Sequence, residues 1–545
     1  MIDTSNPRPG LSKREWLGVP AFALAASLAA IVWSWRHGAL LNYGDAVAHL
    51  HIARRVFDCH QPRLTQLGSV WLPLPHILMI PFVQVYAWWA NGIAGVIPSA
   101  LAYLAACVGT YRLVRRWLEP AAATVALAFF ALNPNLLYLQ TTAMTEPLFV
   151  CEMVWTAFWL VEWRESLESD AARAGRLQAL IAAVLVAAIY TRYDGWIMAL
   201  IAWTSMGVVL ARRGGLRSRS FWLASAFVVA APLAWFVYNA AAFGDWLDFI
   251  RGPYSAKAIE VRTSIPGYPP HPGWHNPWVA LIFYGKAAEL DAAAAPWGNL
   301  LVWSSLVGLG WGWVTARRRS FGWALILGLP LPFYAYSVAW GSVPIFLPVW
   351  WPFSWYNSRY GMELLPLLAL VLGFAAHMVL AGVGEFKPAW RKYAAAGLLA
   401  LVAVNAGRML HERALVYVEG TRNIEARRAY DGAIPAVLKA QLAEHPGVLL
   451  MDTSVYPELV ALTGITLRQT INESDLEVYK DALQHPAERA SLVLAFDGDD
   501  IGQAVKAHPA GLAAVARFAA QGQPPATLYV CGTLVARLST GRRSR

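Results

Sequence analysis

The amino-acid sequence predicts a polytopic α-helical membrane protein with about eleven transmembrane helices and a C-terminal α/β domain, and three observations lead to this class. First, 57% of the 545 residues are hydrophobic and only 14% are charged, a balance that ordinary soluble proteins do not have. Second, the apolar residues form runs long enough to cross a bilayer. Third, most of the basic residues behind the net charge of +10 lie in short loops between these runs. The charge therefore indicates membrane topology, and we expect no nucleic-acid partner.

Eleven apolar runs have the length of a transmembrane helix. They lie at residues 17–36, 94–114, 120–139, 147–163, 177–191, 195–211, 221–239, 299–316, 321–340, 361–381 and 393–408. The first run has no small-residue cleavage pattern, and many more runs follow it. We therefore expect it to be a retained span and not a removed signal peptide.

A further apolar run, Leu72 to Trp89, contains three prolines and decides the orientation of everything after it. If it does not cross, the loops on the side of the N-terminal tail carry 16 basic residues, whereas the opposite loops after the second span, excluding the terminal domain, carry six in about twice the length. The sixteen are Arg112, Arg115, Arg116, Arg164, Arg173, Arg176, Arg212, Arg213, Arg217, Arg219, Arg317, Arg318, Arg319, Lys387, Arg391 and Lys392. The positive-inside rule favours this arrangement. We expect a multi-pass protein of the inner (plasma) membrane with a cytoplasmic N-terminus, and residues 72–89 in or dipping into the outer leaflet.

The composition divides the chain into three regions. Residues 1–16 form a cytoplasmic tail, residues 17–408 a transmembrane module with outer loops at 37–93 and 240–298, and residues 409–545 a soluble domain. In this domain apolar runs at Gly447–Asp452, Ser491–Asp497 and Thr527–Cys531 alternate with helical stretches, which predicts an α/β fold. Eleven spans place the domain in the periplasm. Its loops contain no P-loop or nucleophile elbow.

The outer loops hold the residues that a site would use. The segment Asn42 to Asp58 follows the first span and carries Asp45 at the membrane boundary. Its apolar residues recur at helical spacing, while His51, Arg54, Arg55 and Asp58 gather on the other side. This pattern predicts an amphipathic helix along the membrane surface with Asp45 at its start. Three further segments follow: T-A-M-T-E-P at Thr142–Pro147, T-R-Y-D-G-W at Thr191–Trp196 and N-S-R-Y at Asn357–Tyr360.

The ordered set of these motifs resembles the GT-C superfamily of membrane glycosyltransferases, in particular the bacterial branch of aminoarabinose transferases and protein O-mannosyltransferases. The set comprises Y-G-D before an I-A-R-R helix, the proline-containing run, N-P and T-E-P on spans three and four, R-Y before the tenth span, and the outer α/β domain. It covers about residues 15–410. The resemblance implies a sugar donor on a polyprenyl phosphate and an acid in the first outer loop that acts as base. The matching residue is Asp45.

Two positions depart from the family pattern. Family members often have Asp-Glu where this chain has Asp45-Ala46, and a Lys-Pro-Pro segment whose lysine contacts donor phosphate where this chain has Leu72 to Pro75. Phosphate contact must then come from other residues, for which His76, Arg192 and Arg359 are candidates. The W-W-D motif of oligosaccharyltransferases is absent because Trp350 and Trp351 precede Pro352.

Each candidate residue has a functional and a structural interpretation. Asp45 is either the base that takes a proton from an acceptor hydroxyl or a helix N-cap worth about 1 kcal/mol. Glu146 and Asp194 either hold sugar hydroxyls or form ion pairs with Arg192, Arg54 or Arg55. Arg359, next to Tyr360, either grips phosphate or extends to the membrane interface. The predicted substrate-binding residues are Glu146, Arg192, Asp194, Arg359, Tyr360, His76 and Arg54.

The resemblance implies an inverting, mannosyltransferase-like enzyme that transfers a single sugar, and we expect no cofactor. Polyprenyl phosphate is a good leaving group once a cation neutralises it, so the reaction needs no divalent metal. His49 and His51 lie on different helix faces and do not form a chelating pair, so we expect no metal site. The expected partners are a polyprenyl-phosphate-linked sugar as co-substrate, a lipid, glycan or protein acceptor, and membrane lipids. We expect the C-terminal domain to cover or position the acceptor. The alternatives are a transporter or lipid flippase, which would place its acids near the bilayer midplane, and a non-catalytic envelope scaffold.

Overall fold

The computed structural model describes residues 10–215, 218–263, 267, 269–316 and 321–532. The chain forms two compact units. The membrane unit comprises Met1–His37, Ser69–Pro75 and Val96–Glu419, and the loop-sheet unit comprises Gly38–Gly68, His76–Gly95 and Gly420–Arg545. Most of the first outer loop is thus grouped with the C-terminal residues. Residues 1–9 of the predicted tail, residues 533–545 of the predicted domain and four basic residues used for the orientation (Arg217, Arg317, Arg318, Arg319) lie outside the described residues.

Helices dominate the chain as far as residue 427. In chain order they are α1 (Lys13–Arg36), α2 (Gly44–Arg55), α3 (Leu74–Val83), α4 (Tyr86–Asn91), α5 (Ile93–Arg115), α6 (Pro120–Ala131), α7 (Pro134–Leu139), α8 (Glu146–Ser166), α9 (Ala171–Thr191), α10 (Tyr193–Arg212), α11 (Arg219–Phe243), α12 (Asp248–Arg251), α13 (Ala256–Thr263), α14 (Pro277–Ala292), α15 (Gly298–Ala316), α16 (Phe321–Ala324), α17 (Pro330–Trp340), α18 (Leu365–Phe386), α19 (Arg391–His411) and α20 (Leu415–Arg427). A 3-10 helix at Ser358–Leu364 leads into α18.

The predicted spans are helical in the structure. Among the described residues, eight helical segments are long and apolar enough to cross a membrane. The runs at 120–139, 147–163 and 299–316 are not among these eight, but they form α6 with α7, α8 and α15. The run at 120–139 is broken because α6 ends at Ala131 and Asn133 caps the start of α7, its side chain accepting from the backbone N–H of Asn135 at 2.9 Å. The predicted polytopic helical class is confirmed.

The proline-containing run at 72–89 forms two short helices, α3 and α4. The ten residues of α3 extend over about 15 Å, half of the roughly 30 Å that a hydrocarbon core measures. Neither helix is long enough to cross a bilayer. The structure therefore agrees with the prediction that this run does not span.

The C-terminal residues fold around a five-stranded sheet of order β2-β1-β3-β5-β4. The strands are β1 (Leu449–Met451), β2 (Thr470–Ile471), β3 (Leu492–Phe496), β4 (Leu512–Phe518) and β5 (Ala526–Cys531), with helices α21 (Ala433–Glu444), α22 (Glu458–Thr463), α23 (Glu477–Gln484), α24 (Pro486–Arg489) and α25 (Asp500–Ala507). β1 pairs in parallel with β2 and β3, whereas β5 pairs antiparallel with β3 and β4.

The sheet core contains the apolar runs that the sequence singled out. Leu450 lies opposite Val493, and Val493 lies opposite Tyr529 on the next strand. Leu450, Val493 and Cys531 pack in one buried cluster. The predicted α/β domain is confirmed, whereas its location in the periplasm stays a prediction. The strands that the sequence missed are β2, which has two residues, and β4, whose residues are largely exposed.

Candidate active site

The predicted site residues fall in both units. Asp45, Arg54 and His76 belong to the loop-sheet unit, whereas Glu146, Arg192, Asp194, Arg359 and Tyr360 belong to the membrane unit.

Asp45 lies in the first turn of α2 and is half-buried. The N-cap residue of this helix is Tyr43, whose side chain makes no capping hydrogen bond. The backbone N–H of Gly44 instead donates to Oδ1 of Asn423 at 2.8 Å. Capping therefore does not account for an acid at position 45.

The polar side of α2 is buried, which corrects the expectation of a helix with one solvated side. Arg54 pairs through Nε with Asp58 at 2.6 Å, donates to the carbonyl oxygen of Val83 at 2.8 Å and lies 4.6 Å from the ring of Trp89. His51 is 6% exposed and packs on the same tryptophan. Burial, together with the charges of nearby arginines, lowers the pKa of His51 to about 3, so this histidine is neutral at physiological pH. Residues of α3 and α4 bury this side of α2, and the sequence of α2 alone cannot predict which segments pack on it.

His76 is fully buried and pairs with a second histidine. Its Nε2 lies 2.8 Å from Nδ1 of His49, and its own Nδ1 has no hydrogen-bond partner. His49 and His51 diverge as expected, since the first contacts His76 and the second contacts Trp89. Within the described residues, no group of three or more His, Cys, Asp or Glu side chains is arranged to hold a metal ion.

Arg192 links several carboxylates in the membrane unit. It lies between α9 and α10 in an extended conformation, with φ of −150°, so it belongs to neither helix. Its guanidinium lies 3.2 Å from Asp194, 3.5 Å from Glu146 and 3.1 Å from Glu363. It also donates to the hydroxyl of Tyr334 at 2.8 Å, and that hydroxyl donates to Glu363 at 2.8 Å.

Arg359 joins the same network from the 3-10 helix before α18. Nε donates to Oε1 of Glu146 at 3.1 Å, and a terminal nitrogen donates to Oε1 of Glu419 at 2.8 Å. The guanidinium carbons of Arg359 and Arg192 each lie 5.0 Å from the ring centre of Tyr360. Glu419 also accepts from the backbone N–H of Ser358 at 2.8 Å. Arg359 is 6% exposed, so it does not extend to water.

We call these residues the two-arginine cluster: Arg192, Arg359, Glu146, Asp194, Glu363, Glu419 and Tyr360. Two guanidinium groups face four carboxyl groups, so the cluster is not a ready anion site. Glu146 and Asp194 were predicted either to hold sugar hydroxyls or to form ion pairs. In the structure both form an ion pair with Arg192. Sequence reasoning missed Glu363 and Glu419. Glu363 could have been found as a charge inside the apolar run at 361–381, whereas Glu419 lies past the last span and carries no local signal.

The N-P motif after α6 orients a neighbouring buried acid. The side-chain amides of Asn133 and Asn135 donate to the backbone carbonyl of Asp291 at 2.8 and 3.0 Å. Both carboxyl oxygens of Asp291 are buried without a hydrogen-bond partner. A Cβ on Gly361 would lie 2.6 Å from one of these oxygens, so the glycine lets the segment of Arg359 approach α14.

Comparison with known proteins supports the fold. No protein-family model and no curated protein matches the chain. The crystal structure of ArnT from Cupriavidus metallidurans bound to undecaprenyl phosphate matches with a TM-score of 0.56 at 14% identity, covering 95% of this chain and 98% of that chain. The apo form of ArnT matches with a TM-score of 0.55 at 14% identity, covering 94% and 98%. An Archaeoglobus fulgidus oligosaccharyltransferase, in complex with Zn and sulfate, has a TM-score of only 0.41 at 10% identity over 95% of this chain and 73% of that one, too low to carry an argument. The predicted resemblance is confirmed at the level of the fold: this chain is a multi-pass membrane protein with the GT-C fold.

Proposed function

We propose that this protein is an inverting glycosyltransferase that moves one sugar from a polyprenyl-phosphate donor to an acceptor on the outer face of the inner membrane. The observation that carries the proposal is the likeness, over nearly the whole chain, to ArnT, a structure of which contains undecaprenyl phosphate. A prenyl chain needs a lipid-facing path, and a helical membrane unit is suited to supply one. The sugar and the acceptor depend on the shape of the site.

Asp45 is the base in this proposal. It takes the proton of an acceptor hydroxyl while the hydroxyl oxygen bonds to the anomeric carbon of the donor sugar. The bond from that carbon to the phosphate oxygen breaks, and polyprenyl phosphate leaves with the electron pair. Attack opposite the leaving group inverts the anomeric carbon in one step. Asp45 lies in the first turn of α2 and is only half-buried, so part of its carboxylate is accessible to an acceptor.

The two-arginine cluster is proposed to hold the donor. The side chain of Arg192 is 15% exposed, against 7% for Arg359, so Arg192 is our first choice for the donor phosphate. A phosphate there would replace one of the carboxylates that now contact the guanidinium. Displaced carboxylates could accept hydrogen bonds from sugar hydroxyls, which is the role we propose for Glu146 and Asp194. Arg359, whose side chain is more buried, would keep its own ion pair with Glu146 when that carboxylate loses its contact with Arg192.

The test is mass spectrometry of envelope lipids and glycoconjugates from cells that carry the wild type, a deletion or Asp45→Asn at matched protein level. We expect both changes to remove one sugar from an acceptor and to accumulate a polyprenyl-phosphate sugar, with a loss of about 10²-fold or more for Asp45→Asn. The matched control is Glu477→Gln, which removes an exposed first-turn acid of α23. A deletion that changes the profile while Asp45→Asn does not would reject Asp45 as base and favour a transporter or scaffold.

A further inference from the structure

The start of α2 is held by residues of α20 that come after position 419. The backbone N–H of Gly44 donates to Oδ1 of Asn423 at 2.8 Å. This N–H is one of the orphan donors that every helix has in its first turn, and Tyr43 supplies no side-chain cap for it. Asn423 is therefore a cap supplied from a distant part of the chain, and it acts one residue before Asp45.

Arg427 holds the residue on the other side of Tyr43. One terminal nitrogen donates to the carbonyl oxygen of Asn42 at 3.0 Å, and the other pairs with Glu458 at 3.0 Å. Asn423 and Arg427 are four residues apart on α20, so they project from the same face. One helical face thus contacts the backbone at positions 42 and 44.

The contact leaves little space for a side chain at position 44. A Cβ on Gly44 would lie 3.2 Å from a terminal nitrogen of Arg427 and 3.4 Å from Oδ1 of Asn423. The close approach of α20 thus favours a glycine at this position of the Y-G-D motif. Its φ lies outside the left-handed region, so backbone conformation does not require it.

The other end of α2 is held by the same C-terminal part of the chain. The backbone N–H of Arg468 donates to Oδ1 of Asp58 at 3.3 Å, and its guanidinium donates to the carbonyl oxygen of Phe57 at 3.1 Å. The ring Nε2 of His60 lies 2.9 Å from the carbonyl oxygen of Thr470. Both ends of the helix that carries Asp45 are therefore tied to residues after position 419.

We propose that Asn423 and Arg427 are positioning residues for Asp45. The C-terminal α/β domain holds α2, the helix that carries the base, in the position that the reaction requires. The inference rests on the proposed function and gives this domain a role other than contacting the acceptor. A general base acts only within about 2.6–3.2 Å of its proton, and a misplacement of about 1 Å can cost about 100-fold in rate. A helix end without its cap would allow such a displacement.

The first experiment measures the hydrogen bond itself. Amide hydrogen exchange is followed in the full-length protein in detergent, for peptides that cover the start of α2 and for peptides from β3. Asn423→Ala should raise exchange at the start of α2 by about 2- to 10-fold, the range of a typical hydrogen bond, and leave β3 unchanged. Asn423→Asp keeps an oxygen acceptor and should restore protection. The control is Glu425→Ala on the same helix, an exposed residue that pairs with Arg422.

The second experiment asks whether the contact matters for sugar transfer. Asn423 is exposed, so Asn423→Ala removes no core packing. We expect the sugar product in cells to fall about 10-fold or more, with rescue by Asn423→Asp. Stabilisation of the purified protein by undecaprenyl phosphate, measured by thermal shift, should stay unchanged because the base and not the donor is displaced.

The outcomes are separable. Unchanged exchange at the start of α2 in Asn423→Ala overturns the cap, whatever the protein does. Raised exchange with an unchanged product, in cells where Asp45→Asn abolishes the product, overturns the positioning role. If Asp45→Asn also leaves the product intact, the proposed function of Asp45 as base is wrong. The exchange data still test the hydrogen bond from Gly44 to Asn423, because they do not depend on sugar transfer. Raised exchange, reduced product and retained response to undecaprenyl phosphate support the proposal.

Discussion

Arg359 donates from Nε to Oε1 of Glu146 at 3.1 Å, and Arg192 approaches the same oxygen at 3.5 Å. One carboxylate therefore joins the start of α8, the break between α9 and α10, and the 3-10 helix before α18. Glu146 is 1% exposed, so its charge is balanced by these guanidinium groups and not by water.

Removing this shared carboxylate should strongly destabilise the membrane unit. Glu146→Gln leaves Arg192 and Arg359 with less counter-charge in a buried site, and breaking a buried pair costs about 3–5 kcal/mol. We expect a lower Tm of the purified protein in detergent. The control is Glu168→Gln, whose partners Arg164 and Arg213 are on the surface, and which should leave Tm nearly unchanged. Equal effects of the two changes would contradict the buried role of Glu146.

The close approach at Gly361 should not tolerate a methyl group. A Cβ there would lie 2.6 Å from the backbone of Ala287 and Ala288 and from Asp291. Because two of these contacts are with backbone atoms of α14, we expect Gly361→Ala to destabilise the protein by about 1–3 kcal/mol. Gly285→Ala, in α14 itself with open space at its Cβ, should instead stabilise it by about 0.5–1 kcal/mol. Thermal unfolding of both variants checks the pair, and a stable Gly361→Ala would refute the packing.

The histidine pair should behave as a structural contact. His76→Phe leaves the buried His49 without this partner, which should cost about 1–3 kcal/mol. Replacing both histidines by leucine should cost less than the sum of the single changes, because no polar atom is then stranded. The response to undecaprenyl phosphate should not change. A weakened response in His76→Phe with unchanged Tm would instead support the sequence-based expectation that His76 contacts donor phosphate.

The stability of the loop-sheet unit should fall as pH rises from about 4.5 to 7. Burial first, and then the nearby charge of Asp452, raises the pKa of Glu473 from 4.5 to about 7, and burial raises the pKa of Asp499 to about 6. Between the unfolded and folded pKa of each group the folded state binds more protons, so a rise in pH favours unfolding by about 1.4 kcal/mol per pH unit and group. Asp499 contributes only below about pH 6, and Glu473 contributes up to about pH 7.

Hydrogen exchange in β1 and β3 between pH 5 and 7.5, corrected for intrinsic rates, measures this dependence. Glu473→Gln should flatten the profile, whereas Glu477→Gln, a surface change on α23, should leave it unaltered. Corrected exchange rates that do not change with pH in the wild type would contradict the raised pKa of Glu473.

Local patterns in the sequence were sufficient for the class of protein. Span length, the distribution of basic residues and the prolines at 73, 75 and 81 predicted a helical membrane protein with one non-spanning run, and the structure contains both. These features are local because each depends on the hydropathy or backbone limits of a few consecutive residues. Strands β1, β3 and β5 of the α/β domain were found for the same reason.

Which charges meet was decided only by the tertiary structure. Glu419 contacts Arg359 from beyond the last span, and Asn423 caps Gly44 from a position 379 residues away. Arg54 lies on the predicted polar side of α2, yet α3 and α4 bury it. Hydropathy and helical period specify which residues share a helix face, but not which other segment packs on it. Pairing of buried charges depends on that packing, because each must find a partner among whatever segments the fold brings near.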